Sequence, residues 1–392
     1  MKILVISQYY YPEPFRITDI CEELVKQGHE VTVITGIPNY PMGRIYDGYG
    51  KGQKRFEEIG GVKVRRCFTI GRRSGAIWRF LNYYSFALSS ELFAARIHEE
   101  FDVVFVNQLS PVMMANAGVR YKKKHGKKLV LYCLDLWPAS LAVGGIGEGS
   151  LVYRYFHRIS DRIYKQADKL LITSKSFAHY FEDVFGIKET EYLPQYAEEL
   201  FSAEKCQKAP GETIDLMFAG NVGTAQSVDT ILRAACLTQD VENLYWHIVG
   251  DGSELENCKL LAKKLFLKNV VFHGRKPLEE MPAYYSMADA MLVTMNEDKI
   301  AQLTLPGKVQ TYMMAAKPIL CSADGEVPAI ITEAGCGYCS GATDAEALAA
   351  SARRFCELSP EQRAELGTNA KKYGMANFGK QQFYQRLFSS FQ

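Results

Sequence analysis

Thr304-Leu305-Pro306-Gly307-Lys308 is the stretch whose residue types and spacing point most directly to chemistry. It lies between an apolar run ending at Met295 and a helical pattern, Lys308–Ala316, which Lys317-Pro318 stops. The spacing predicts Thr304 as the cap that accepts an early helix amide. It puts Pro306 at the first helical position, where a missing N–H costs nothing. Gly307 would let a ligand approach the backbone, and Lys308 would set a cation at the positive end of the helix dipole. Such a helix start favours phosphate or carboxylate. An ordinary strand-to-helix turn carrying a surface lysine has the same composition, so both readings stand.

Two more loops follow apolar runs in the same half: Gly220-Asn221-Val222-Gly223 and Gly250-Asp251-Gly252-Ser253. The amides of Val222–Thr224 and Thr304–Gly307 are candidate uncharged donors to an anion. Arg275 and Lys276, after Gly274, are candidate cations, although a solvated surface pair would look the same. In the first half, Glu13, Phe15 and Arg16 sit in the first strand-to-helix loop, and Asn107 ends another strand. Asp135, after Lys128–Cys133, is a carboxylate placed for chemistry or for capping its own turn. Glu326 follows Asp324-Gly325, where a helix N-terminal acid is equally natural.

The elements that must position these residues alternate along the chain as apolar runs and amphipathic stretches. The first-half strands read as Ile3–Ser7, Glu30–Thr35, Val62–Phe68, Val103–Asn107, Lys128–Cys133 and Leu170–Thr173. The second half restarts with Ile214–Ala219, Tyr245–Val249, Val270–His273, Ala290–Thr294 and Pro318–Cys321. The alternation implies an α/β protein with two doubly wound parallel sheets. Such domains would face a cleft lined by strand ends and helix starts. Polar, turn-forming residues between Tyr196 and Glu212 divide the chain into 1–195, 196–378 and a helical tail, 379–392, long enough to cross back.

At 392 residues the chain exceeds one core and suits two domains of about 150–200 residues. Its ten cysteines are scattered, as for reduced thiols in a cytosol. Cys336-Gly337-Tyr338-Cys339 follows a helical pattern and enters a turn, a poor context for redox or zinc chemistry. No Asp-x-Asp pair stands near a strand end, so no metal is expected. Met1-Lys2 leads straight into a strand, and no apolar stretch approaches the roughly 20 residues that span a bilayer. Net charge is +2, but residues 1–195 carry 27 basic against 20 acidic groups (+7), leaving 19 against 24 (−5) beyond.

Val249-Gly250-Asp251-Gly252, Phe272-His273-Gly274-Arg275 and the Pro306–Pro318 segment form an ordered series in the second half. Tyr9–Arg16, Gly28-His29-Glu30-Val31, Gly36–Pro41 and Asp135-Leu136-Trp137-Pro138 form another in the first. Together they resemble the retaining, nucleotide-sugar-dependent glycosyltransferases of the GT-B fold (family four). The first half is similar to a WbuB-like branch that assembles bacterial O-antigen and capsule sugars. The resemblance implies two Rossmann-like domains, a donor site in the second, and no cofactor. With the loops above, it places Gly220, Asn221, Gly223, Gly250, Gly274, Arg275, Thr304, Leu305, Pro306, Gly307, Thr311 and Glu326 around the donor; from their own positions Lys308 is the best cation for its pyrophosphate and Asp135 the first choice of carboxylate near the reacting carbon. Glu13, Phe15, Arg16 and Asn107 would meet the acceptor.

The chain departs from the family where two glutamates, eight residues apart, usually bind donor sugar and ribose. Leu303 and Thr311 stand there, and Asn221 and Gln226 replace a phosphate-binding arginine and lysine. Thr311 could bond a ribose hydroxyl instead, or be a plain helix-surface threonine. These losses keep two alternatives open, a GT-B epimerase of a UDP-sugar and a silent nucleotide-sugar-binding scaffold.

Residues 44–79 hold ten Lys and Arg against three acids, and Ile77, Trp78, Phe80, Leu81, Tyr84 and Phe86 cluster at and just beyond their end. Basic residues beside exposed aromatics suit an anionic membrane surface, while core packing of that helix is the rival. No nucleic-acid motif accompanies the charge. The expectation is a transferase on the cytoplasmic face of the plasma membrane, moving a UDP-linked sugar to a sugar on a polyprenyl diphosphate.

Overall fold

The computed structural model describes residues 1–73, 75–143, 145–209 and 211–392. Pro210, within the turn-rich boundary, lies outside the described residues. The chain divides into two compact units. The first comprises Met1–Thr173, Phe177–Tyr192 and Phe388–Gln392; the second comprises Ser174–Ser176 and Leu193–Leu387.

The first unit is built on β1 (Lys2–Ile6), β2 (Glu30–Thr35), β3 (Phe56–Ile59), β4 (Val62–Arg66), β5 (Val103–Gln108), β6 (Lys128–Cys133), β7 (Lys169–Ile172) and β8 (Glu191–Tyr192). Their order is β3-β4-β2-β1-β5-β6-β7-β8, and every pair is parallel except β3 with β4. Ile3–Ile6, Val103–Val106 and Leu129–Leu131 are fully buried, which is why these strands read as continuous apolar runs. Within this unit Phe391 meets the Phe105 ring edge-on and Phe388 lies against His29.

The second unit carries β9 (Ile214–Ala219), β10 (Leu244–Val249), β11 (Val270–Gly274), β12 (Ala290–Thr294), β13 (Ile319–Ser322) and β14 (Gly337–Ser340). All pairs are parallel, in the order β11-β10-β9-β12-β13-β14. Both sheets are therefore doubly wound. Strand order reverses between β1 and β5 in one and between β9 and β12 in the other. Open α/β sheets bind ligands outside the carboxyl ends of strands at such reversals.

Several sequence expectations need correction. The edge strand β3 was absent from them, though Gly60 and Gly61, with φ of 56° and 79°, form the positive-φ turn that joins it to β4. The segment predicted as Val62–Phe68 stops at Arg66, and the aromatic stretch that begins at Ile77 lies in a helix, Ala76–Arg96. Cys339 lies opposite Cys321 within β14, a strand the expectation lacked, and the expected turn follows it. Helices Ser176–Phe185 and Pro360–Phe378 are additional. No helix of the described residues is long and apolar enough to cross a membrane.

Candidate active site

Two glycine loops leave the carboxyl ends of β9 and β10 side by side. Gly220 donates to the Val249 carbonyl and Gly250 to the Gly274 carbonyl, both at 2.9 Å. The backbones run so close that a β-carbon at Gly250 would lie 1.8 Å from the Gly220 oxygen. Only glycine fits there, and Gly250 also has φ of 145°. Val222 donates to the Asp251 carbonyl, so its amide is spent inside the loops rather than offered to a ligand.

The helix that supplies Lys308 spans Gly307–Met314. Its start corrects the expected capping. Pro306 is the cap residue, and Thr304 instead ends the short helix Lys299–Leu303, with its hydroxyl donating to Ile300 O. The fully buried Tyr312 fixes the helix to β9, because its hydroxyl accepts from Ala219 N and donates to Ala219 O. That anchor brings Lys308 beneath Gly220, where its Nζ would stand 3.0 Å from a β-carbon.

The lysine stem keeps some solvent contact, yet the Nζ is sealed from it and has no hydrogen-bond partner among the described residues. The ammonium lies 3.8 Å from the centre of the Phe218 ring. Burial alone lowers its pKa to about 7. A buried cation without an anion is costly, so the position is poised for one.

Other expected donor residues take defined places. Asn221 and Gln226 hydrogen-bond to each other, side chain to side chain. Gly223 and Leu305 are buried, while Gly307 and Arg275 are exposed. Thr311 is turned inward: its hydroxyl donates to Gly307 O rather than facing a ribose. Glu326 is also committed, accepting from Lys175 N at 2.9 Å and from Ser176 N at 3.0 Å.

In the first unit, a cavity of 470 Å³ opens beyond the ends of β1, β5 and β6. Tyr9, Tyr40, Tyr83 and Trp137 wall it, with Arg72, Arg79 and Asp135 supplying charge. Phe15 stacks on Tyr9 at 4.8 Å between ring centres, and Tyr40 tilts against both. The Arg72 guanidinium lies over the Tyr40 and Tyr83 rings. Asp135 accepts from Ser110 N, and burial raises its pKa against the opposing pull of that bond and of Arg72. Trp137 is 5% exposed, and its Nε1 has no partner among the described residues. Aromatic faces with unmatched polar groups suit a polar ring.

Of the residues expected to meet an acceptor, only Phe15 lines this cavity. Arg16 stands at the start of helix Ile17–Lys26. Asn107 is buried and donates to Ser7 Oγ. Glu13 corrects the expectation most clearly, because its carboxylate accepts from the amides of Asn39, Tyr40 and Tyr10. Tyr9, Tyr40, Tyr83, Arg79, Arg72 and Trp137 line the cavity but were not among the expected site residues. The aromatic run Tyr9–Tyr11 beside Phe15 was the available signal.

Two Rossmann-like sheets, each with its loops gathered at a strand-order reversal, define the GT-B architecture. The chain is a glycosyltransferase of that fold. Residues 16–194 match the family model "Glycosyltransferase Family 4", and residues 202–373 match "Glycosyl transferases group 1". WcaI of Escherichia coli (strain K12), whose name assigns it to colanic acid biosynthesis as a glycosyl transferase, is 26% identical over 90% of this chain and 92% of its own. Among solved structures, sucrose-phosphate synthase from Thermosynechococcus elongatus superposes with a TM-score of 0.76 at 16% identity, covering 99% of both chains. HepE from Anabaena, solved in complex with UDP, gives 0.72 at 13% identity over 100% of this chain and 99% of that one.

Proposed function

We propose that the protein transfers a sugar, with retention of configuration, from a UDP-linked donor to a lipid-linked saccharide in surface polysaccharide assembly of the O-antigen or capsule type. The observation that carries the donor half is the buried Lys308 Nζ beneath Gly220, which has no hydrogen-bond partner among the described residues. A pyrophosphate there would supply the missing anion, and the lysine would stabilise the charge that develops as it leaves. The UDP in the HepE complex supports the choice of nucleotide.

The cavity of the first unit takes the acceptor. Its aromatic walls suit a sugar ring, and Arg72 and Arg79 suit a phosphate attached to it. In the transfer the acceptor oxygen bonds to the anomeric carbon while the bond to the donor phosphate breaks. The acceptor proton passes to the departing phosphate oxygen. The protein mainly orients the two reactants, with Asp135 placed beside the acceptor.

The membrane face adjoins that cavity. Ile77 and Leu151 are 75% and 80% exposed, and Phe80, Leu81, Val152 and Tyr155 are exposed with them. Phe80 packs on Phe156, which joins the starts of helices Ala76–Arg96 and Leu151–Tyr164 into one apolar patch. Arg73, over Trp78, adds charge. Arg65 and Arg66 leave the expected basic set, since they pair with Glu99 and Glu57. We place the enzyme at an anionic cytoplasmic membrane surface on these grounds.

Incubation with a panel of nucleotide-sugars and a membrane lipid extract tests the proposal. Nucleotide release that depends on acceptor is the expected result. An isomerised donor would make the protein an epimerase, and binding without turnover would make it a scaffold.

A further inference from the structure

Glu13 is 2% exposed and lies behind the cavity wall rather than in it. Its Oε1 accepts from Asn39 N at 2.8 Å and Tyr40 N at 2.7 Å, and its Oε2 from Tyr10 N at 3.3 Å. Asn39 extends the contact. Its Oδ1 accepts from the Arg72 amide at 3.0 Å and from Asn82 Nδ2 at 3.2 Å. Asn82 donates in turn to Ile70 O and accepts from Gln8 Nε2, so the chain on both sides of Arg72 is tied to one buried network. Tyr40 and Arg72, the two residues this network seats, both form the cavity wall.

We infer that Glu13 is a positioning residue for the acceptor: its carboxylate clamps the Asn39–Tyr40 turn that sets Tyr40 and Arg72 in the cavity. The inference rests on reading that cavity as the acceptor site. Three N–H donors converge on one carboxylate. A neutral side chain of the same shape loses accepting capacity and leaves at least one buried amide unpaired. The groups facing Glu13 are the Arg66 guanidinium from β4, itself paired with Glu57, and the hydroxyls of Tyr9 and Tyr46. Burial pushes the carboxyl up to about 7 despite the amides and Arg66 that oppose it. The clamp is therefore charged and closed above that pH and loosens below it.

The test uses the full chain, Glu13→Gln, and a synthetic farnesyl-diphosphate-linked N-acetylhexosamine as probe. Hydrogen exchange of the 37–44 segment should rise about fivefold in the variant. Probe affinity at about pH 8 should fall about tenfold while UDP affinity stays within about twofold. Wild type at about pH 6 should approach the variant, whose own affinity should not change between the two pH values. Unaltered exchange, or raised exchange with undiminished probe binding, would overturn the clamp. Loss of UDP binding in step with probe binding would reduce Glu13 to a general structural role and overturn it too. If wild type does not bind the probe, the acceptor reading of the cavity fails, and this inference with it.

Discussion

Lys308 holds its Nζ 3.8 Å from the centre of the Phe218 ring, and no hydrogen-bond acceptor among the described residues reaches it. Its depressed pKa of about 7 would make binding of a diphosphate there a proton-linked event. At about pH 8 the free lysine is mostly neutral, while a bound diphosphate restores the charged form. UDP binding should take up most of a proton, seen by calorimetry in buffers of different ionisation heat. Lys308→Met should abolish the uptake and weaken UDP about tenfold or more. The same shift means that this residue's contribution to stability rises with pH from about 7 toward its ordinary 10.5. Equal proton uptake in the variant would remove Lys308 from the donor site.

Asp135 accepts from Ser110 N and lines the cavity of the first unit. Asp135→Asn keeps an oxygen for that bond, so melting should change little. If the carboxylate acts on the reacting groups, kcat should fall about 100-fold. A decrease of less than about threefold would leave it the turn-capping role alone.

The apolar patch makes a separable claim. Ile77→Glu combined with Leu151→Glu should eliminate binding to vesicles containing anionic lipid. Each side chain is exposed, and such substitutions usually shift stability by no more than about 0.5 kcal/mol. Binding by wild type should weaken with salt, since charges are screened over about 10 Å at 0.1 M. Arg66→Glu should behave differently, unfolding the protein by about 3–5 kcal/mol, because it strands a buried charge. Vesicle binding that survives the double variant would refute the patch.

Tyr312→Phe tests how the helix that carries Lys308 is held against β9. Its hydroxyl satisfies both backbone groups of Ala219, and losing it should cost about 1–3 kcal/mol by denaturant titration. UDP affinity should fall as well, because Lys308 rides on the same helix. Unchanged stability would show that water or a neighbour replaces the hydroxyl.

The sheets were legible because buried parallel strands are near-continuous apolar runs; Ile214–Ala219 and Ala290–Thr294 match residue for residue. β3 escaped because Phe56-Glu57-Glu58-Ile59 is a short exposed edge, although Gly60-Gly61 announced its turn. Lys308 stood out in the sequence because the helix start and its cation are contiguous. The cavity could not, since its walls span residues 9 to 156 and exist only after folding. Glu13 shows the limit most sharply. An acid in a loop beside Arg16 suggests a ligand contact, yet two of its amide partners lie 26 and 27 residues away in sequence.

Phe388 and Phe391 belong to the first unit although residues 193–387 belong almost wholly to the second. During synthesis the first sheet leaves the ribosome long before the rings that cover His29 and Phe105. Domains usually finish folding in the order they emerge. Here the earlier unit must wait, with part of its apolar surface uncovered, until the later one has been made. Premature termination anywhere in the second half would thus leave the first half incomplete as well.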